Sequence, residues 1–219
     1  MLRYKITVLF ILLISICTFN FVEAGTNELP LLGKVIYLDP GHGGLDPGAM
    51  YKNIKEKNIN LQISKNLEKR LTKLGAIVYL TRYDDYDLSV NNTINRKRSD
   101  LSRRGNIINK SDCDLFLSIH LNAENTGIWK GAQTFYNTNN KENKKIAELL
   151  QQQLKEDLNS KRKAKNKNDL YLQKRINRPG VLIEVGFLSN ASERYLLKQE
   201  KYQDKVTLSI ANALLKYFK

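Results

Sequence analysis

Three side chains capable of proton or metal chemistry stand where strands of the chain would end, and a fourth stands where a helix would begin. The 219 residues include only two histidines. His42 follows the apolar run Val35–Asp39 within Asp39-Pro40-Gly41-His42-Gly43-Gly44, and His120 closes the apolar run Leu115–His120. A third apolar run, Val181–Ile183, ends in Glu184, while Glu56 precedes a periodic segment carrying Ile59 and Ile63. Two histidines and one carboxylate are the protein ligands of a catalytic zinc, with the fourth position left to water. Such a site brings the pKa of its water from about 16 down to about 7. The carboxylate left over would take a proton from the water and pass it to a leaving nitrogen, help worth about 10²–10⁴ in rate. The same donors suit non-haem iron. Iron oxygenases of that kind usually sit on all-β folds, which by analogy argues for zinc here.

The elements that would position these residues alternate along the chain. Short apolar runs predict strands at Val35–Asp39, Ile77–Thr81, Leu115–His120, Ala132–Tyr136 and Gly180–Glu184, with a further short one at Asp169–Leu172. Helical spacing predicts Asn58–Leu74, closed by Gly75, then Leu101–Asn109, Lys141–Leu158, Ser192–Leu197 and Gln203–Phe218. Residues 82–98 are polar and read as a loop. Apolar strands between helices imply an α/β fold whose mainly parallel sheet is covered on both faces. Ligands of such folds bind outside the carboxyl ends of the strands, where His42, His120 and Glu184 fall. A helix that follows the first strand starts near that same edge, so Glu56 can reach His42. Its other reading is a charge favouring the helix N-terminus.

Neighbouring residues each allow two readings. Asp39 and Asp46 either accept the free ring N–H of a metal-bound histidine or shape the turn. Asn122 either meets substrate or shapes its own turn. Arg82 meets a substrate carboxylate or a surface residue such as Asp84 or Asp85. The glycines around His42 allow a sharp turn and leave room for substrate. Cys113, beside an apolar run, is a small packed residue.

Composition excludes several classes. A chain with 42% hydrophobic and 26% charged residues is neither a disordered tail, a collagen-like repeat nor a multi-pass membrane protein. Two cysteines make no disulfide framework. Arg3 and Lys5, the apolar run Ile6–Val22 and the small residues around Val22-Glu23-Ala24 predict a signal peptide or N-terminal membrane anchor over 1–24. Cys17, preceded by Ile16, is a poor lipid-attachment cysteine. Residues 25–32 read as a linker and 33–219 as a single catalytic domain. The formal charge of +14 raises nucleic acid as a partner, but export redirects it to the cell-wall polyanion. The densest basic run, Lys161 to Lys167, is either a solvated loop or a source of attraction to an acidic polymer.

The motifs Leu38-Asp39-Pro40-Gly41-His42-Gly43-Gly44, Glu56-Lys57, Ser118-Ile119-His120-Leu121-Asn122-Ala123 and Leu182-Ile183-Glu184-Val185-Gly186-Phe187-Leu188-Ser189-Asn190 resemble the zinc-dependent N-acetylmuramoyl-L-alanine amidases. The resemblance runs from about Gly33 to Phe218. It implies that His42, Glu56 and His120 hold one zinc ion, with Glu184 as the catalytic carboxylate. It implies a single three-layer α/β domain with a mostly parallel, roughly six-stranded sheet. The bond cut would be the amide between N-acetylmuramic acid and L-alanine of the peptidoglycan stem peptide. Residues 29–34, 96–101, 129–136 and 201–206 further resemble the germination-specific amidases of spore-forming bacteria, which implies cortex maturation toward muramic-δ-lactam. Asn53 departs from relatives that often carry glycine nearby. The competing readings are a vegetative wall amidase, a zinc peptidase cutting within the stem, a wall-binding protein without catalysis and a nucleic-acid binder. No wall-binding repeat is apparent in the sequence. Targeting is then expected from the N-terminal segment through the membrane, from surface charge or from an accessory activator protein.

Overall fold

The computed structural model describes residues 29–219. The expected leader over 1–24 and the first half of the expected linker, residues 25–28, lie outside the described residues. In chain order the elements are β1 Val35–Pro40, β2 Met50–Tyr51, β3 Ile54–Lys55, α1 Glu56–Lys73, β4 Ile77–Leu80, α2 Arg96–Lys110, β5 Leu115–Asn122, β6 Gln133–Tyr136, α3 Glu142–Leu158, β7 Lys165–Asn166, α4 Tyr171–Arg175, β8 Gly180–Phe187, α5 Ala191–Leu197 and α6 Glu200–Tyr217. Six strands form one sheet in the order β4-β1-β5-β8-β6-β7, and β2 with β3 makes a small separate hairpin. Strands β4, β1, β5 and β8 run parallel. Strand β6 runs antiparallel to β8, and β7 follows β6 in parallel.

The period-2 alternation of strands explains the difference between the two sheet faces. Ile36 and Leu38 of β1, Leu115, Leu117 and Ile119 of β5, and Val181, Ile183 and Val185 of β8 enter one continuous core. Helices α1, α3 and α6 complete that core with Ile63, Leu67, Ile146, Leu150, Ile210 and Leu214. The opposite face begins apolar, with Tyr37 and Phe116 packed against Ile108, Cys113, Leu172 and Ile176. Moving toward the carboxyl ends, the residues on that face become Asp39 on β1, Ser118 and His120 on β5, and Glu184 on β8. The sheet therefore offers a dry face and a face that turns polar at one edge.

Cys113 is buried in the smaller cluster, as its sequence context predicts. Gly75 follows the last turn of α1 with φ +96°, the left-handed conformation expected just beyond a helix end. Helix α2 starts earlier than its apolar spacing indicates, because the Asn95 side chain accepts from Arg98 N at 3.0 Å and caps it. The short strand expected at Asp169–Leu172 is not formed. The last sheet strand is Lys165–Asn166, and Tyr171–Arg175 is a helical turn. Leu172 and Ile176, four residues apart, both pack into the smaller cluster, which a helical turn allows. A polar two-residue edge strand carries no periodic signal, so the basic run read as a loop hides it.

Candidate metal centre

The chain leaves β1 through Gly41 and His42. His42 adopts φ +62°, a left-handed conformation costly for a side-chain-bearing residue and one found at sites where surrounding contacts over-determine the backbone. Those contacts are two buried arginines. Arg82 donates to the carbonyls of Pro40 (3.0 Å), Gly41 (3.1 Å) and Lys57 (2.8 Å). Arg104 donates to the carbonyls of Pro40 and His42, each at 2.8 Å. Both readings offered for Arg82, a substrate carboxylate or a surface aspartate, are therefore corrected. The guanidinium is fully buried and spends its donors on main-chain oxygens, including that of Asp84. Burial and the nearby Arg104 charge lower its pKa to about 10.

Gly41 is needed for a steric reason. A Cβ there would lie 2.2 Å from the His120 ring. The space beside Gly43 and Gly44 is not substrate room, as the sequence suggested. The carbonyl of Tyr86 and the side chains of Arg82 and Asp87 occupy it.

Glu56, the first residue of α1 and only 3% exposed, sits between the two histidines. Its Oε2 is 3.2 Å from His42 Nε2 and its Oε1 is 3.0 Å from His120 Nδ1. The imidazole rings meet edge to face with centroids 4.9 Å apart. One donor atom from each of His42, Glu56 and His120 falls within 4.8 Å of the others. Glu56 is aimed by three further donors: Ala49 N at 2.8 Å, Leu121 N at 2.9 Å and Asn60 Nδ2 at 3.0 Å. Burial alone would raise its pKa, but the two histidines hold it far below the usual carboxylate range. His42 responds in the opposite sense. Burial opposes its charge, yet hydrogen bonds to Asp46 and Glu56 raise its pKa to about 9.

Asp46 takes the role of a ring orienter, with Oδ2 2.8 Å from His42 Nδ1. Asp39 does not. It accepts from Thr81 Oγ1, Ser118 Oγ and Arg104, the first two at 2.7 Å and the third at 2.8 Å. Asn122 accepts from Ala123 N at 2.8 Å and also lines the groove that opens beside Gln133, so both of its readings stand. Sequence reasoning missed Asn60, Asp100 and Arg104. The spacing of Asn60 four residues after Glu56, and of Arg104 four after Asp100, is the helical signal that marks both pairs. Arg104 Nε bonds Asp100 at 2.9 Å.

Glu184 pairs in register with His120, one strand away. Its Oε2 is buried and has no hydrogen-bond partner. Burial raises its pKa to about 7, and the neighbouring histidine charges only partly offset that. The arrangement fits a zinc ion. Two imidazoles and one carboxylate are donors that zinc accepts, and the His42 ring and the Glu56 carboxylate are already oriented by their own hydrogen bonds.

Residues 36–216 match the family described as N-acetylmuramoyl-L-alanine amidase. The germination-specific N-acetylmuramoyl-L-alanine amidase of Bacillus subtilis is 44% identical over 216 residues, covering 95% of this chain and 91% of its own. Among solved structures, the CwlD amidase from Clostridioides difficile, in complex with the GerS lipoprotein, superposes with a TM-score of 0.80 at 41% identity, covering 84% of this chain and 98% of that one. The catalytic domain of CwlV, an amidase from Bacillus (Paenibacillus) polymyxa, reaches 0.74 at 28% identity, covering 84% and 97%.

Proposed function

The chain belongs to the N-acetylmuramoyl-L-alanine amidase family, and from that premise we propose that it hydrolyses the amide joining N-acetylmuramic acid to L-alanine in peptidoglycan, with His42, Glu56 and His120 as the ligands of one zinc ion. The observation that carries this reading is the His42–Glu56–His120 cluster with Glu184 in register beside it. A zinc ion in that cluster supplies a water acidic enough to lose its proton near neutral pH.

The chain's own groups do the rest. Asp46 keeps His42 Nδ1 engaged, so that Nε2 faces the cluster. Ala49, Leu121 and Asn60 fix the Glu56 carboxylate from behind. Glu184 moves the proton. Burial raises its pKa above the usual carboxylate range, toward the neutral range that suits a group accepting a proton and returning it. Its unpartnered Oε2 is free to take the proton from the attacking water and deliver it to the departing L-alanine nitrogen.

The similarity to a germination-specific enzyme supports a role in spore-cortex maturation toward muramic-δ-lactam. The chain then acts outside the membrane, on the wall or cortex side. Among the described residues no helix is long and apolar enough to cross a membrane. Membrane association is proposed through the N-terminal segment over 1–24. The relative solved with a lipoprotein supports an accessory protein as a partner.

Mass spectrometry of peptidoglycan digested by the purified protein, with zinc and with chelator, tests the reading. Free stem peptides beginning at L-alanine, released only with zinc, are expected. Shortened stems still attached to glycan would make the enzyme a peptidase instead.

A further inference from the structure

A groove of about 940 Å³ opens on the polar face of the sheet, on the β6–β7 side of Glu184. It starts at Gln133, which pairs in register with Glu184, and runs over Phe135 toward the outer strand. Lys165 pairs in register with Phe135, so its side chain leaves the same sheet face, and Lys167 follows two residues later. Lys167 Nζ stands 5.7 Å from the centroid of the Phe135 ring. Arg162 forms part of the wall, stacked between Trp129 at 4.7 Å and Phe187 at 4.9 Å. With Lys174 the groove holds four cations against two acids, Glu124 and Asp169. The reactive carboxylate and the cationic groove are thus two parts of one sheet face.

We propose that this groove is a carboxylate-reading subsite that takes the peptide half of the substrate, with Lys165 and Lys167 as its charge-selective residues. The inference rests on the amidase reading and adds to it which half of the substrate lies where. Charge makes the assignment. In an uncut muropeptide the lactyl carboxyl is tied up in the scissile amide, so the disaccharide is neutral. Every free carboxylate lies on the stem, where the second residue, a glutamate linked through its side chain, keeps its α-carboxylate. Distance agrees. From β8 across β6 to β7 is two strand spacings, about 10 Å, and because Lys165 lies level with Leu182 rather than Glu184 the separation grows to about 12 Å. Three extended residues span about 10 Å, and the long lysine side chain covers the remainder. A stem whose first residue sits at Glu184 therefore brings the free carboxylates that follow it within reach of Lys165, with Lys167 two residues further along.

The test uses the full chain and two synthetic stem tetrapeptides beginning at L-alanine. One has free carboxylates on residues two and three; the other has them amidated. Isothermal titration of each, alongside turnover of the matching muropeptides, separates binding from chemistry. The free-acid peptide is expected to bind roughly 10-fold tighter, with the preference shrinking at high salt because exposed cations are screened. The double variant Lys165→Ala/Lys167→Ala should lose the preference and raise KM about 10-fold with kcat held. The double variant Lys165→Arg/Lys167→Arg should restore it. Both positions are exposed, Lys165 on the rim strand and Lys167 just beyond it, so these variants keep the fold. Equal binding of the two peptides by the unaltered chain, or a preference that survives the alanine variant, overturns the subsite. Charge-selective binding without turnover of either muropeptide would leave the subsite standing and remove the amidase reading instead.

Discussion

Asp39, fully buried, and Glu184, half-buried with its Oε2 enclosed, are carboxylates on the same face of the same sheet, and the fold drives them in opposite directions. Burial raises the pKa of each. Asp39 overcomes this with Arg104 and two hydroxyls, and its pKa falls to about 2. Glu184 has no such partners, its Oε2 remains unbonded, and its pKa climbs to about 7. The lesson is that burial does not by itself separate a structural acid from a reactive one. The number of donors around it does. The region below the centre is closed, with Asp39, Asp100 and both arginines satisfied by one another and by main-chain carbonyls. The region at the edge is left one partner short.

The contrast breaks most completely at the histidines. His42→Ala or His120→Ala should abolish both zinc content and turnover, read by metal analysis and product release on the same sample. Chelation of the unaltered protein should do the same, with turnover returning on added zinc. Glu184→Ala is next. It should keep zinc and fold while losing about 10²–10⁴ in kcat. Full zinc occupancy with unchanged turnover would remove the role assigned to Glu184. On the closed side, Asp39→Ala leaves Arg104 buried beside an empty space. A loss of about 3–5 kcal/mol is expected in urea unfolding, as for other broken buried ion pairs. The smallest effect is on pH dependence. Because the Asp39 pKa is lowered from its ordinary 3.8, its stabilising contribution is complete above that value and is lost as pH falls through about 2. Unfolding titrations across that window should show a contribution of about 2 kcal/mol that is absent in Asp39→Asn. A flat difference would mean that Asp39 is not held ionised by Arg104.

Much of the centre was legible because its donors end apolar runs. His42 follows β1 while His120 and Glu184 stand toward the carboxyl ends of β5 and β8, which run on to Asn122 and Phe187, and the parallel topology leaves all three near one edge. Glu56 was legible from its place ahead of Ile59. The supports were not. Arg82 follows a strand into a polar loop and Arg104 sits among charged residues of α2, so although the spacing to Asp100 marks a helical pair, the sequence does not reveal that both guanidiniums turn inward to hold the carbonyls around His42. Glycines 43 and 44 were misread for a related reason. A glycine signals that something comes close, but not whether it is ligand or the chain's own Asp87 and Tyr86. Strand β7 was hidden because its two polar residues are both exposed and carry no alternation.

That outer strand has a consequence for how the molecule survives in company. An exposed sheet edge is a template on which another chain can add a strand. At β7 the edge is two residues long and flanked by Lys161, Lys163 and Lys167, so an approaching copy meets like charge and almost no backbone to pair with. The opposite edge, β4, is longer and exposes Ile77 and Tyr79 by about half. Self-association under heat or mild denaturant should therefore begin at β4, and a single lysine in place of Ile77 should delay it.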